Sequence, residues 1–224
     1  MSLTFGFAPL SGGERGEAMR RTLVRTAILA ATILTPLSAM AQTGPNPMLP
    51  EHGQRYDVWF AIDLAQEDVL DLAEAMPAEK YTFRPAEGVR TAGEVYMHIA
   101  EGNFTVSHLW GKLPPAGVDP KSFEKDATNK EKVLATLKAS YAFLRDQIKA
   151  LSEEDMNRII QVYDHPGTIR EALLFVSNHN QAHLGQSIAY ARAAGVVPPW
   201  TAAKLAAEVK KKETDAKKSE KPNR

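Results

Sequence analysis

The 224-residue chain contains no cysteine. That excludes disulfides, cysteine-ligated zinc, iron–sulfur clusters, a blue-type copper site and a cysteine nucleophile. It also removes the usual clue to redox compartment, so location must be read from the N-terminus. An excess of either charge is missing too: Lys+Arg and Asp+Glu each total 27. Such a balance points to no nucleic acid and no strongly charged surface as partner. After residue 41 no apolar run is long enough to cross a membrane. We find no convincing strand alternation, no internal repeat, no glycine-rich phosphate loop and no Ser-His-Asp arrangement.

What is present begins with a targeting segment. Residues 19–41 read MRRTLVRTAILAATILTPLSAMA. Arg20, Arg21 and Arg25 form a positive n-region, Thr26 to Leu37 is mostly apolar, and Ala39-Met40-Ala41 supplies a small–x–small cleavage pattern. Residues 1–41 are therefore expected to include a secretory signal peptide cut between Ala41 and Gln42. The Arg20-Arg21 pair hints at twin-arginine export, although its flanks fit poorly. Residues 1–18 lack signal character and precede a second methionine, Met19, as a mis-assigned start codon would explain. The mature protein is expected to be exported, periplasmic in a diderm cell, and free of the membrane after cleavage. Residues 42–52, rich in Pro, Gly and Asn, read as a linker.

Four helical segments follow over residues 53–200. The first, from about Gly53 to Met76, carries Val58, Ile62, Ala65, Val69, Leu72 and Met76. The second runs from about Thr91 to Trp110. The third, from about Thr128 to Leu151, carries Leu134, Leu137, Tyr141, Leu144, Ile148 and Leu151. The fourth runs from about Thr168 to Ala194. Alternating steps of three and four residues place each set on one helical stripe, and prolines and glycines punctuate the ends. Four such helices pack as an all-α four-helix bundle. Residues 201–224, rich in Ala, Lys and Glu, are expected to be a charged, flexible tail.

The chemistry lies in the stripes. On the fourth helix Ile169, Ala172, Val176, His179, His183, Gln186 and Tyr190 are spaced 3-4-3-4-3-4. On the second, Val95, His98, Gly102 and Leu109 share a face. Three imidazoles are thus expected to point inward, where the other helices place aliphatic side chains. Burying one without a partner costs on the order of a few kcal/mol. A divalent cation offsets that cost, because neutral imidazole nitrogens ligate zinc, nickel, copper and iron. His98, His179 and His183 are therefore the expected metal ligands. Zinc or nickel is the first expectation, with iron, copper or manganese open. Gly102, one turn from His98, is expected to leave room for water or substrate. A metal-free buried histidine network is the alternative.

Several metal chemistries are set aside. Asn180 stands where a zincin would need its general-base Glu. No Glu lies three residues before His98, His179 or His183, as a di-iron bundle would require. His52, His108 and His165 read as surface or loop residues. Glu94 and Glu101, each near one turn from His98, could orient it or transfer a proton, but a solvated helix surface is the simpler reading.

The run His179-Asn-Gln-Ala-His183-Leu-Gly185-Gln186, with Tyr190, Arg192, Gly195 and Pro198-Pro199 after it, resembles the last helix of DinB/YfiT-like proteins. Val95-Tyr-Met-His98-Ile-Ala100 and the Phe83-Arg84-Pro85 loop resemble earlier segments of that family. The resemblance covers about Tyr56 to Trp200. It implies an up-down-down-up bundle, a homodimer, and a three-histidine site for a divalent metal with solvent in its open positions. It also implies thiol-dependent transferase or isomerase activity. A three-histidine ion fits hydrolysis as well as thiol transfer, so a metal-dependent hydrolase or a thiol-dependent transferase acting on a small molecule is expected. The alternative is a non-catalytic, metal-stabilised stress or ligand-binding protein.

Overall fold

The computed structural model describes residues 52–219, so the signal segment and most of the linker lie outside the described residues. The first helix, α1, spans Gln54–Ala75 and buries all six residues of its sequence stripe. It stops where Pro77 removes the next amide donor. A short 3-10 turn over Ala78–Thr82 leads to α2, Ala92–Thr105. A capping box starts α2: Glu94 N donates to Thr91 Oγ1 at 3.2 Å, and Thr91 N donates to Glu94 Oε2 at 2.7 Å. Both donors would otherwise be orphaned at the helix start. The expected continuous helix to Trp110 tightens at Val106 into a 3-10 turn that ends at left-handed Gly111.

The third helix, α3, spans Lys130–Ala150, capped by the Asn129 side chain accepting from Lys132 N at 3.0 Å. The fourth, α4, spans Ile169–Ala193, capped by Thr168 accepting from Glu171 N at 3.1 Å. Between them the chain forms a hairpin that the sequence reading did not anticipate. β1 (Ile159–Val162) pairs antiparallel with β2 (His165–Thr168), Val162 opposite His165 and Ile159 opposite Thr168. Four residues are too few for alternation to register. Pro166 and Gly167, which suggest a turn, lie instead in β2, where a two-stranded ribbon leaves an outer edge that tolerates proline.

The expected flexible tail is also corrected. Pro199–Ser219 forms a fifth helix, α5. Ala, Lys and Glu are strong helix formers, and Pro199 stands in the first turn, where it costs no hydrogen bond. From Ala202 to Lys218, α5 is exposed.

Cross-helix contacts fix the topology. Arg55 at the start of α1 donates to Leu151 O at 2.7 Å, just past the end of α3. Lys130 at the start of α3 donates to Met76 O at 2.8 Å, just past the end of α1. These helices are antiparallel. The α2–α3 pair is parallel: Asn103 meets Ser140, and Gly93 abuts Ala127 just ahead of α3. In the α2–α4 pair, His98 faces His183 and Asn103 faces Asn180, which is antiparallel. The bundle is therefore up-down-down-up, with α1 packed on α4 and α3, and α2 packed on α3 and α4. No helix among the described residues is long and apolar enough to cross a membrane.

One packing contact is tight enough to predict a large effect. A Cβ at Gly93 would lie 1.9 Å from the Ala127 carbonyl oxygen. Backbone cannot yield as a side chain can, so α2 would have to move off the crossover that leads to α3. Gly93→Ala is expected to cost about 3 kcal/mol, read as a lowered urea midpoint.

Candidate metal centre

Helices α2 and α4 cross where His98, His179 and His183 meet. Each ring touches the other two, with centroids 4.9 Å (His98–His179), 4.8 Å (His98–His183) and 4.5 Å (His179–His183) apart. One ring nitrogen from each lies within 4.8 Å of the others. His98 Nε2 and His179 Nε2 are 3.2 Å apart. Two nitrogens bound at about 2.0–2.1 Å to one cation sit about 2.8–3.4 Å apart over the range from octahedral to tetrahedral angles. The spacing fits.

The outward sides of the rings are held as metal ligands require. His183 Nδ1 donates to Gln186 Oε1 at 2.7 Å, and Gln186 Nε2 donates in turn to Tyr190 Oη at 3.0 Å. The Gln186 amide is thereby oriented with its oxygen toward His183, leaving His183 Nε2 with a free lone pair. His98 Nδ1 lies 3.3 Å from Glu101 Oε2. The carboxylate accepts the Nδ1 proton and frees His98 Nε2 as well. Such outer partners fix tautomer and ring orientation. His179 Nδ1 is buried without a partner. With His98 Nδ1 protonated toward Glu101, His179 Nε2–H is the donor to His98 Nε2; to ligate a cation through Nε2, His179 would carry its proton on Nδ1 instead.

Burial is the main cause that lowers the His179 pKa to about 4, with the neighbouring His183, His98 and Arg90 adding to it. Burial also lowers His183, against the opposing pull of its Gln186 hydrogen bond. Both imidazoles are neutral at pH 7, the form that ligates a cation. This sets a pH dependence for chelated protein. The folded His179 pKa lies below the ordinary value, so above about pH 6.5 neither folded nor unfolded chain holds this proton. Below it the unfolded chain binds the proton first. Stability is therefore full above pH 6.5 and falls progressively to about pH 4. Denaturant titration in chelator should show a loss of about 2 kcal/mol across that window once solvent screening is allowed for. His179→Ala should flatten it.

The structure revises two expectations. The three histidines are half-buried, not core-filling; the His98 side chain keeps 24% of its surface. They line the rim of the α2–α4 seam. And the room beside Gly102 is taken by His179 itself, since a Cβ there would come within 2.8 Å of His179 Cε1. Open space lies alongside, in a cleft of about 410 Å³ that His98, Glu101, Thr105, Leu109 and His179 help to line.

Other histidines and acids fall elsewhere. His52 and His108 are exposed. His165 is exposed and held between Glu171 (2.6 Å) and Asp164 (3.2 Å). Glu94 serves the α2 cap. His98, Glu101 and Glu124 form a second possible ligand grouping, but Glu124 Oε1 already accepts from Arg90 Nε at 2.8 Å.

Beneath the histidines lies a polar network that the sequence reading missed. Tyr141 Oη donates to Asn180 Oδ1 at 2.6 Å, and Asn180 Nδ2 donates to Asn103 Oδ1 and Val176 O, both at 2.8 Å. Asn103 Nδ2 donates to Ser140 Oγ at 3.2 Å, and Ser140 donates to Leu137 O at 2.8 Å. Asn103, Asn180 and Ser140 are wholly buried. The chain of bonds ties α2, α3 and α4 together one residue away from His179 and Gly102. A signal existed: Leu173, Ser177, Asn180, Leu184, Ser187 and Ala191 are spaced 4-3-4-3-4, as regularly as the histidine stripe beside them.

An up-down-down-up four-helix bundle with three histidines gathered between its second and fourth helices defines the structural class. The family follows from the sequence: residues 61–187 match the DinB superfamily, over half of the chain, and the chain belongs to that superfamily. Two solved structures are similar to it. One is a DinB-like protein from Bacillus cereus ATCC 10987, 20% identical, with a TM-score of 0.48, covering 63% of this chain and 93% of that one. The other is the DinB-like protein YjoA from Bacillus subtilis, 24% identical, with a TM-score of 0.43 and the same coverage. No curated protein matches the chain.

Proposed function

We propose that His98, His179 and His183 hold a divalent cation, zinc or nickel first, and that the protein uses it on a small molecule in hydrolysis or thiol-dependent transfer. The observation that carries this is the His98–His179 nitrogen spacing of 3.2 Å, with the far nitrogens of His98 and His183 engaged by Glu101 and Gln186. A divalent cation lowers the pKa of a coordinated water or thiol and polarises a carbonyl. The chain's own part is positioning. Gln186 and Glu101 hold two rings in the ligating tautomer, and the adjoining cleft admits the substrate. Glu101, half-buried on the cleft wall, is the group placed to hold a proton beside it.

Metal analysis of the full chain, purified aerobically without chelator, tests the reading. About one equivalent is expected, as for a structural or catalytic zinc site. Less than about a tenth of an equivalent, set against three ligands that can hold one ion, overturns it. Turnover, once a substrate is found, should require the metal and vanish in His98→Ala.

A second reading, a non-catalytic metal-stabilised protein, is favoured by the buried Asn103–Asn180–Tyr141 network directly under the site. There a cation would chiefly clamp α2 to α4. Chelation would then lower the melting temperature with no activity to lose. Export to a periplasmic location and homodimer formation belong to the same proposal. The first is supported by residues 19–41 and tested by cell fractionation. The second is supported by the family resemblance and tested by sedimentation.

A further inference from the structure

The open cleft beside the histidines is not uniformly polar. Its lining joins His98, Glu101 and His179 to the apolar Val106, Leu109 and Val176 and to the aromatic Phe175 and Tyr163. These two aromatics are 48% and 59% exposed, yet their rings touch, with centroids 4.9 Å apart and planes tilted by 56°. Tyr163 is held there by an unusual backbone. Its φ of 52° makes it the only non-glycine among the described residues with positive φ. A left-handed tyrosine costs roughly 1 kcal/mol or more, and the two-residue turn of the hairpin absorbs that strain. The hairpin itself packs against the 3-10 turn after α2 and against α4. A strained turn thus carries a large aromatic ring to the lip of the cleft and leaves much of it in water.

Charge narrows what fits. Glu101 is the single charged side chain lining the cleft, and no Lys or Arg lines it. No side chain lining the cleft offers a phosphate a lysine or arginine partner, so an anionic group would depend on the cation alone. About 410 Å³ is the size of a cavity for a small organic molecule. An aromatic ring inserted beside Phe175 and Tyr163 would cover exposed apolar area and gain edge or offset-stacking contacts.

We infer that the cleft seats a small, uncharged aromatic body whose metal-binding head reaches the three histidines, with Tyr163 and Phe175 gripping the ring. The head's destination rests on the metal reading above; the aromatic seat does not. The hairpin is then the specificity element of the site.

Two measurements on the full chain separate these parts. In chelated protein, benzyl alcohol is titrated while the ring resonances of Tyr163 and Phe175 are followed by NMR. Saturable shifts are expected at those two rings, and saturation transfer from the protein to the benzyl alcohol ring is expected to be lost in the Tyr163→Ala, Phe175→Ala double variant. Both rings are largely exposed, so the variant should keep its fold, which circular dichroism checks. Absence of shifts in folded wild type overturns the aromatic seat whether or not a metal binds.

In metal-loaded protein, benzohydroxamate and acetohydroxamate share a chelating head and differ in the ring. Benzohydroxamate is expected to bind about tenfold more tightly, and the double variant should remove that preference while leaving acetohydroxamate unchanged. Equal affinities in loaded wild type overturn the inference. Wild type that takes up no metal overturns the metal reading instead, and the benzyl alcohol titration then decides the seat.

Discussion

Replacing His98, His179 or His183 singly with Ala is expected to lower the divalent-cation affinity proposed for the site by about a hundredfold or more, and replacing all three to abolish it. The loss is large because the rings serve one point. Each holds a nitrogen within 4.8 Å of the others, and a two-histidine remnant cannot close the set. Gln186→Ala should act more gently, about tenfold. His183 keeps its place on α4 but loses the acceptor that fixes its tautomer. Competition against a chelating dye, read by equilibrium absorbance, gives the order. Equal losses for Gln186→Ala and His183→Ala would show that the ring orientation supplies everything. No loss for His98→Ala would break the three-ligand arrangement.

Asn180→Ala is expected to destabilise the fold by about 3 kcal/mol, although Asn180 touches no cation. The substitution leaves the Tyr141 hydroxyl and the Asn103 carbonyl oxygen buried without their partner. A buried polar group pays the full desolvation cost when its mate is removed, whereas removing both mates together can be nearly neutral. Tyr141→Phe should therefore cost much less in the Asn180→Leu background than in wild type. Urea denaturation of the two singles and the double gives the coupling. Additive losses would mean that the Tyr141–Asn180 bond of 2.6 Å contributes nothing net. Because Asn180 is adjacent in sequence to His179, a melted network should also loosen the site, and cation affinity should fall in Asn180→Ala.

The fold was legible wherever period and punctuation agreed. The six stripe residues Val58, Ile62, Ala65, Val69, Leu72 and Met76 are all buried, as the 4-3 spacing requires. Thr91, Asn129 and Thr168 cap the next three helices with side-chain hydrogen bonds. The direction of each helix was not legible from periodicity, which is blind to polarity. It came from the family resemblance and is borne out by the end-to-end contacts of Arg55 and Lys130. The hairpin was illegible because its four-residue strands carry Pro166 and Gly167, the two residues that most resemble a turn. The fifth helix was misread because a sequence without an apolar stripe looks unstructured, while Ala, Lys and Glu form a helix without burying anything.

The candidate site was legible as a set and blurred in depth. His98, His179 and His183 do converge. Their stripe, however, runs one residue to the side of the one that fills the core. An α-helix advances 100° per residue, so adjacent stripes with identical spacing differ by that rotation alone. Spacing cannot say which of the two faces inward. Composition could have: the neighbouring stripe holds Leu173, Ser177, Asn180, Leu184, Ser187 and Ala191, small and mostly uncharged, as a helix crossing demands.

The parallel course of α2 and α3 has a consequence for the order of folding. To lie beside α2 in the same direction, α3 must begin after a connection that returns along the bundle from Val106 to Asn129. His98 comes before that return and His179 and His183 come well after it, 81 residues separating His98 from His179. In an unfolded or half-made chain only the α4 pair, one turn apart, can share an ion, and two imidazoles hold one weakly. The third ligand arrives when α4 docks antiparallel on α2, the last helix of the bundle to emerge during synthesis. A cation held by all three rings would therefore mark a bundle whose long-range closure is complete.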